Sequence, residues 1–139
     1  MASVHGLFRA PKKRLPMEEL QEAQVVNDFG LQGCAHARPG RKRQVLLVDK
    51  ETLEAMDLQP GILRENITTT GLNVNSLAIG QQLRVGKTLL EVSEICTPCD
   101  QMEKIRPGLR KELWGRRGML CQVVEGGVIR RGDTIEKIS

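Results

Sequence analysis

Aromatic side chains are nearly missing from this chain: its 139 residues hold two Phe, one Trp and no Tyr. With only Phe8, Phe29 and Trp114 available, a core has to be built from Leu, Ile, Val and Met, with little ring packing. The same scarcity argues against nucleic-acid binding, because single-strand readers stack bases on aromatic rings. Long apolar runs are missing too. Met1 to Arg9 mixes Ser, His, Gly and Arg among its apolar residues, which predicts neither a signal peptide nor a membrane span, and therefore a cytoplasmic protein. In that reducing compartment Cys34, Cys96, Cys99 and Cys121 are expected as chemical or buried thiols rather than as a disulfide framework.

What the sequence does hold is basic charge: a formal net charge of +4 and short runs at Lys12-Lys13-Arg14 and Arg41-Lys42-Arg43. A basic balance suits an anionic small molecule, and a solvated loop is the plainer explanation of both runs. The length and the 40% hydrophobic content predict one domain over residues 1–139 with one core.

Short β-like runs dominate the chain, bounded by Gly, Pro, Asn or Asp. They fall at Ser3 to Phe8, Gln24 to Asn27, Gln44 to Val48, Leu83 to Val85, Leu89 to Ile95, Met119 to Val124 and Thr134 to Ile138. Helical signals are few. Asp49 to Met56 reads as a capped helix with Leu53 and Met56 inward. A second is expected from Thr97 to about Ile105, ended by Pro107-Gly108, and a further turn and a half from Leu109 to Trp114. Arg9 to Glu22 reads as a long exposed connection. Glu125 to Asp133 reads as a Gly-Gly hairpin and a turn into the last strand. The sequence thus predicts a mainly β domain, a compact sheet or barrel with a few short peripheral helices.

Cys96-Thr97-Pro98-Cys99 is the most informative tetrapeptide. Thr97 has the chemistry of an N-cap and Pro98 that of a first helical residue, which would set Cys99 in the first turn among unpaired N–H groups. Such a position lowers a thiol pKa, although Asp100 opposes it. The thiolate would serve as a sulfur nucleophile, a persulfide carrier or a soft metal ligand. Two buried cysteines acting as small hydrophobes are the bland alternative.

A second candidate is Gly30-Leu31-Gln32-Gly33-Cys34-Ala35-His36, where two glycines allow a sharp turn that brings Cys34 and His36 to one side of a strand. His36 would be a ligand, a phosphate donor or a general acid. Cys34, His36, Cys96 and Cys99 together are formally enough for tetrahedral zinc, though one-residue spacing is tight for a zinc knuckle and zinc is not favoured. The third candidate is Gly61 to Thr68, where Arg64 offers a fork that fits phosphate and Asn66 can both donate and accept. An Asn-stabilised turn would explain the same residues.

Taken in order, the pattern resembles a known family. Gly30-x-x-Gly33-x-x-His36 before Arg43-Gln44-Val45-Leu46-Leu47, Pro60-Gly61-x-x-x-Glu65-Asn66-Ile67, Leu77-x-Ile79-Gly80, Pro98-Cys99, Gly118, and Gly127-x-Ile129-x-x-Gly132-Asp133 together resemble the MOSC domain. That module is found in molybdenum cofactor sulfurases and in molybdenum-dependent reductases of N-hydroxylated compounds. The resemblance implies a β-barrel with small peripheral helices and a loop-lined pocket. It puts the functional cysteine, and the metal ligand, at Cys99, with Cys96 beside it. It makes Arg64, Asn66, His36 and Arg43 cofactor-pocket residues.

Two departures stand out: Cys34 replaces the usual Asp, and Cys96 stands where many members have Arg. The second weakens a claim to phosphate binding and favours redox or sulfur-relay chemistry. The implied function is sulfur transfer or binding of the molybdenum cofactor (molybdopterin), with a cysteine desulfurase, a molybdoenzyme or a cofactor-biosynthesis protein as partner. The alternatives are a component of a reductase for N-hydroxylated substrates, a Cys-x-x-Cys thiol oxidoreductase and a zinc-stabilised module.

Overall fold

The computed structural model describes residues 1–13 and 15–138. Its strands are β1 (Ser3–Arg9), β2 (Glu18–Leu20), β3 (Glu22–Val26), β4 (Gly30–Leu31), β5 (Val45–Asp49), β6 (Ile67–Thr70), β7 (Gln82–Val85), β8 (Thr88–Ile95), β9 (Met119–Glu125), β10 (Gly127–Arg130) and β11 (Ile135–Ile138). Three short helices, α1 (Lys50–Ala55), α2 (Gln101–Ile105) and α3 (Leu109–Glu112), and a 3₁₀ turn at Val74–Ser76 complete it. None of these helices is long and apolar enough to cross a membrane.

The run Val45-Leu46-Leu47-Val48-Asp49 is buried along its whole length, and that fixes its place in the middle of the fold. Alternate side chains of β5 serve two cores. Val45 and Leu47 join the main cluster with Leu7, Ile67, Leu90, Val92 and Cys121, while Leu46 and Val48 pack under the helices with Leu53, Leu63, Leu109 and Leu113. A strand wet on neither face reads as a continuous aliphatic run, and β5 does. It pairs in parallel with β6 across α1 and antiparallel with β9. Asp49 caps α1 as the sequence predicts, its carboxylate accepting from the Thr52 amide at 3.1 Å.

The strands form an eight-stranded sheet in the order β11-β7-β8-β9-β5-β6-β1-β2 and a three-stranded sheet in the order β10-β3-β4. The mainly β class holds. The strand ladders do not close into a barrel; β1 meets the segment before β11 through a single bridge, Ser3 with Thr134.

Four further expectations are corrected. The stretch from Arg9 to Glu22 contains a strand, β2, paired with the end of β1. Gly126-Gly127 makes no hairpin: β10 leaves β9 and pairs with β3 in the other sheet. Gly126 allows that passage because a Cβ there would run into the Val25 carbonyl oxygen. Thr97 is not a cap, since α2 begins only at Gln101 with Asp100 before it, so Cys99 lies outside the helix. Asp100 instead pairs with Arg110 at 2.5 Å, and Pro98 is buried. Finally, β4 ends at Leu31, so Cys34 and His36 sit in the turns that follow it rather than along a strand.

Candidate functional site

The loops preceding β5, β6 and β9 and following β8 converge on a cleft of about 730 Å³. His36, Arg38, Arg41 and Arg43 line it from the β4–β5 connection, Arg64 and Lys13 from two neighbouring loops, and Arg117 from the lead into β9. Among the described residues that line it, none is acidic. Concentrating one sign of charge in a concave, partly dry site focuses the field on an anion.

Arg117 is the residue that sequence reasoning missed. Its guanidinium is buried, 7% exposed, and donates from Nη2 to the Leu63 carbonyl at 2.7 Å. Its Nε and Nη1 are buried without a partner. Unpartnered donors on a buried cation cost several kcal/mol unless something anionic completes them. Arg116-Arg117-Gly118 is a visible dibasic step before a strand, but nothing local says which arginine turns inward. The fold decides it: at Gly118, with φ +122°, a Cβ would strike the Leu47 carbonyl oxygen, so the chain passes against β5 and carries Arg117 beneath it.

The sequence-predicted residues divide into two groups. His36, Arg43, Arg64, Asn66 and Cys96 all line the cleft. Cys99 is exposed and does not line it. Arg43, itself exposed, pairs at 3.9 Å with Glu94.

Two of the lining residues have structural work. Arg64 has a left-handed backbone, φ +62°, and its guanidinium donates to the carbonyls of Leu15 and Lys12, pinning that loop beside the cleft. Asn66 is fully buried; its Oδ1 accepts from the Leu46 amide at 3.0 Å, and its Nδ2 donates to the Phe8 carbonyl at 3.2 Å and to the Cys34 sulfur at 3.4 Å. It therefore knits β1, β5 and the Cys34 turn together, and its polar atoms are spent within the protein.

The four thiols differ by environment. Burial raises the Cys96 thiol, and the charges of Arg117 and Arg43 oppose that without cancelling it. Arg117 thus stands beside Cys96 and supplies from another segment the cation that position 96 lacks. Burial pushes Cys121 up to about 12, which makes it inert. At Cys34 burial also works against the thiolate, but hydrogen bonds from the His36 side chain, the Ala10 amide and the His36 amide, with the His36 charge, bring it down to about 7. Among the described residues no three potential metal-ligating side chains converge, so Cys34, His36, Cys96 and Cys99 do not assemble a zinc site.

The chain is similar in fold to several solved structures. The YuaD protein of Bacillus subtilis superposes with a TM-score of 0.78 at 20% identity, over 97% of this chain and 94% of that one. YiiM from Geobacillus stearothermophilus gives 0.82 at 17% identity over 100% of this chain and 76% of that one. YiiM from Escherichia coli gives 0.76 at 19% over 100% and 70%. No curated protein matches the sequence. The MOSC domain family matches residues 36–136, a span that takes in all of the cleft lining except Lys13 and Ala35, both cysteines of Cys-Thr-Pro-Cys and the β5–β9 centre of the sheet, and the chain belongs to that family.

Proposed function

We propose that this domain holds the molybdenum cofactor, its anionic end in the basic cleft and the exposed Cys99 as soft metal ligand or persulfide carrier. The MOSC domain family is linked with molybdenum cofactor-related function. The observation that carries the proposal is Arg117, a buried cation with two unpartnered donors in a cleft whose described lining has no carboxylate. A phosphate-bearing pterin fits that donor set, since charge-assisted bonds to Arg are strongest where water is excluded. Arg117, Arg38 and His36 would grip the anion, Arg64 would keep Lys12 and Leu15 beside it, and the exposed sulfur of Cys99 suits a soft metal or a sulfur donor. When bound, the cofactor would supply a metal able to take up and release electron pairs. A cysteine desulfurase or a molybdoenzyme would be the partner.

The test is elemental analysis, pterin assay and intact mass on protein purified from a molybdenum-replete host. Molybdenum and pterin lost together in Arg117→Gln would support cofactor holding. One added sulfur on Cys99, absent in Cys99→Ser, would support sulfur carriage. Protein carrying neither, even after exposure to a cysteine desulfurase and its substrate, sinks the proposal.

A further inference from the structure

The sulfur of Cys34 is ringed by donors. The Ala10 amide and the Asn66 Nδ2 both donate to it at 3.4 Å, and the charge of His36, two residues on, favours its anion. A neutral thiol carries a hydrogen that wants an acceptor, and a thiolate carries none. Among the described residues, every hydrogen bond at this sulfur has it as the acceptor. The residue is 7% exposed and is bonded to Asn66, which lines the basic cleft together with His36.

We propose that Cys34 is a positioning residue, held as a thiolate, whose negative charge keeps the His36 imidazole at the cleft wall as a donor to the bound anion. The thiolate stands on its own surroundings, while the consequence for the anion rests on the cleft reading above. The ionisation near neutral pH given by the same donors agrees with this role. The other charged groups nearby are cationic or already paired. Arg9 of β1 lays its guanidinium against Gly33 while paired with Glu18 at 3.1 Å, and Arg38, Arg64 and Lys13 share the cleft wall with His36.

The experiment uses the full chain. Thiolate absorbance is followed against pH in the wild type, Cys34→Ser and His36→Gln, and sulfate binding is measured by calorimetry in the wild type, Cys34→Ser and Cys34→Asp. Sulfate is the probe because it does not titrate near neutrality. We expect Cys34 to ionise near 7 in the wild type and at a higher pH in His36→Gln. We expect sulfate to bind about tenfold more weakly to Cys34→Ser, the scale of one charge-assisted hydrogen bond, and the charged Asp to restore most of the loss.

Ionisation of Cys34 at or above the ordinary thiol value would overturn the proposal, and so would its indifference to His36. Equal sulfate binding by the wild type and Cys34→Ser would overturn it as well. The wild-type and His36→Gln titrations decide the matter if Cys34→Asp does not fold. Sulfate binding with the expected Cys34 dependence, in protein that retains no cofactor, would sink the cofactor reading and leave this one standing.

Discussion

On the proposed reading, Arg117 serves function at the expense of the fold, its guanidinium buried with two unpartnered nitrogens. Replacing a buried charge by a long apolar side chain is often neutral or stabilising, whereas a binding site loses its anchor. Arg117→Met should therefore keep or raise the melting temperature while anion affinity falls at least about tenfold, the worth of one charge-assisted contact. A variant that melts early and still binds would refute the assignment.

Cys34 gives a pH dependence with a definite sign. Its folded value is depressed from 9.0 to about 7, so the stability it contributes is complete above the unfolded value and is lost as pH falls through about 7. The urea stability of the wild type relative to Cys34→Ser should widen by about 2–3 kcal/mol on going from below 7 to above 9, an upper bound from the two-unit shift. An offset that stays constant across that range would show that the thiol is neutral in the fold. Cys121, pushed up to about 12 and fully buried, should resist alkylation until the protein unfolds, while exposed Cys99 reacts first.

At the scale of elements, the join between β5 and β9 can be probed through Gly118. Gly80 and Gly118 both have positive φ, +95° and +122°, but a Cβ at Gly80 meets nothing within 4 Å and one at Gly118 meets the Leu47 carbonyl. Gly80→Ala should cost about 1–2 kcal/mol from backbone strain alone, and Gly118→Ala clearly more, measured by chemical denaturation. Equal costs would mean that β9 can shift off β5.

The strands themselves were largely legible, because Ser3–Arg9, Val45–Asp49 and Thr88–Ile95 are β-branched or alternating runs between turn residues. Of the elements not foreseen, β2 and β4 are three and two residues long, too short for any periodicity to register. Cys99 was misplaced for a related reason. Thr97-Pro98 carries the chemistry of a helix start, yet burial of Pro98 and the pairing of Asp100 with Arg110 delay α2 to Gln101.

Across the whole molecule, protection should follow depth in the sheet. The central strands β5, β8 and β9 carry Val45, Leu47, Leu90, Val92 and Cys121, each at most 1% exposed, whereas β2 and β4 lie at sheet ends. Native-state hydrogen exchange should be slowest in those three and fastest in β2, and fast exchange in β8 would contradict the sheet order. The two ends of the described chain are also stitched together, Val4 to the Asp133 carbonyl at 2.9 Å and Ile135 to the Ala2 carbonyl at 2.9 Å. The cleft depends on the same assembly. Its cations come from positions 13 to 117 and meet only when both sheets and the β5–β9 pair are in place.

From the residues alone came the class of fold, most strand positions, the family resemblance, and His36, Arg43, Arg64, Asn66, Cys96 and Cys99 as candidates for one place, of which all but Cys99 line the cleft. These are properties of local period and of motif order, which a chain carries before it folds. Tertiary structure alone decided that β10 crosses to β3 and that Asn66 is spent on Cys34. It also decided that Arg117 turns inward and that Cys34, rather than Cys96, lies where donors favour its anion. Pairing partners and the charge around a buried atom depend on contacts between segments far apart in sequence, and no window along the chain contains them.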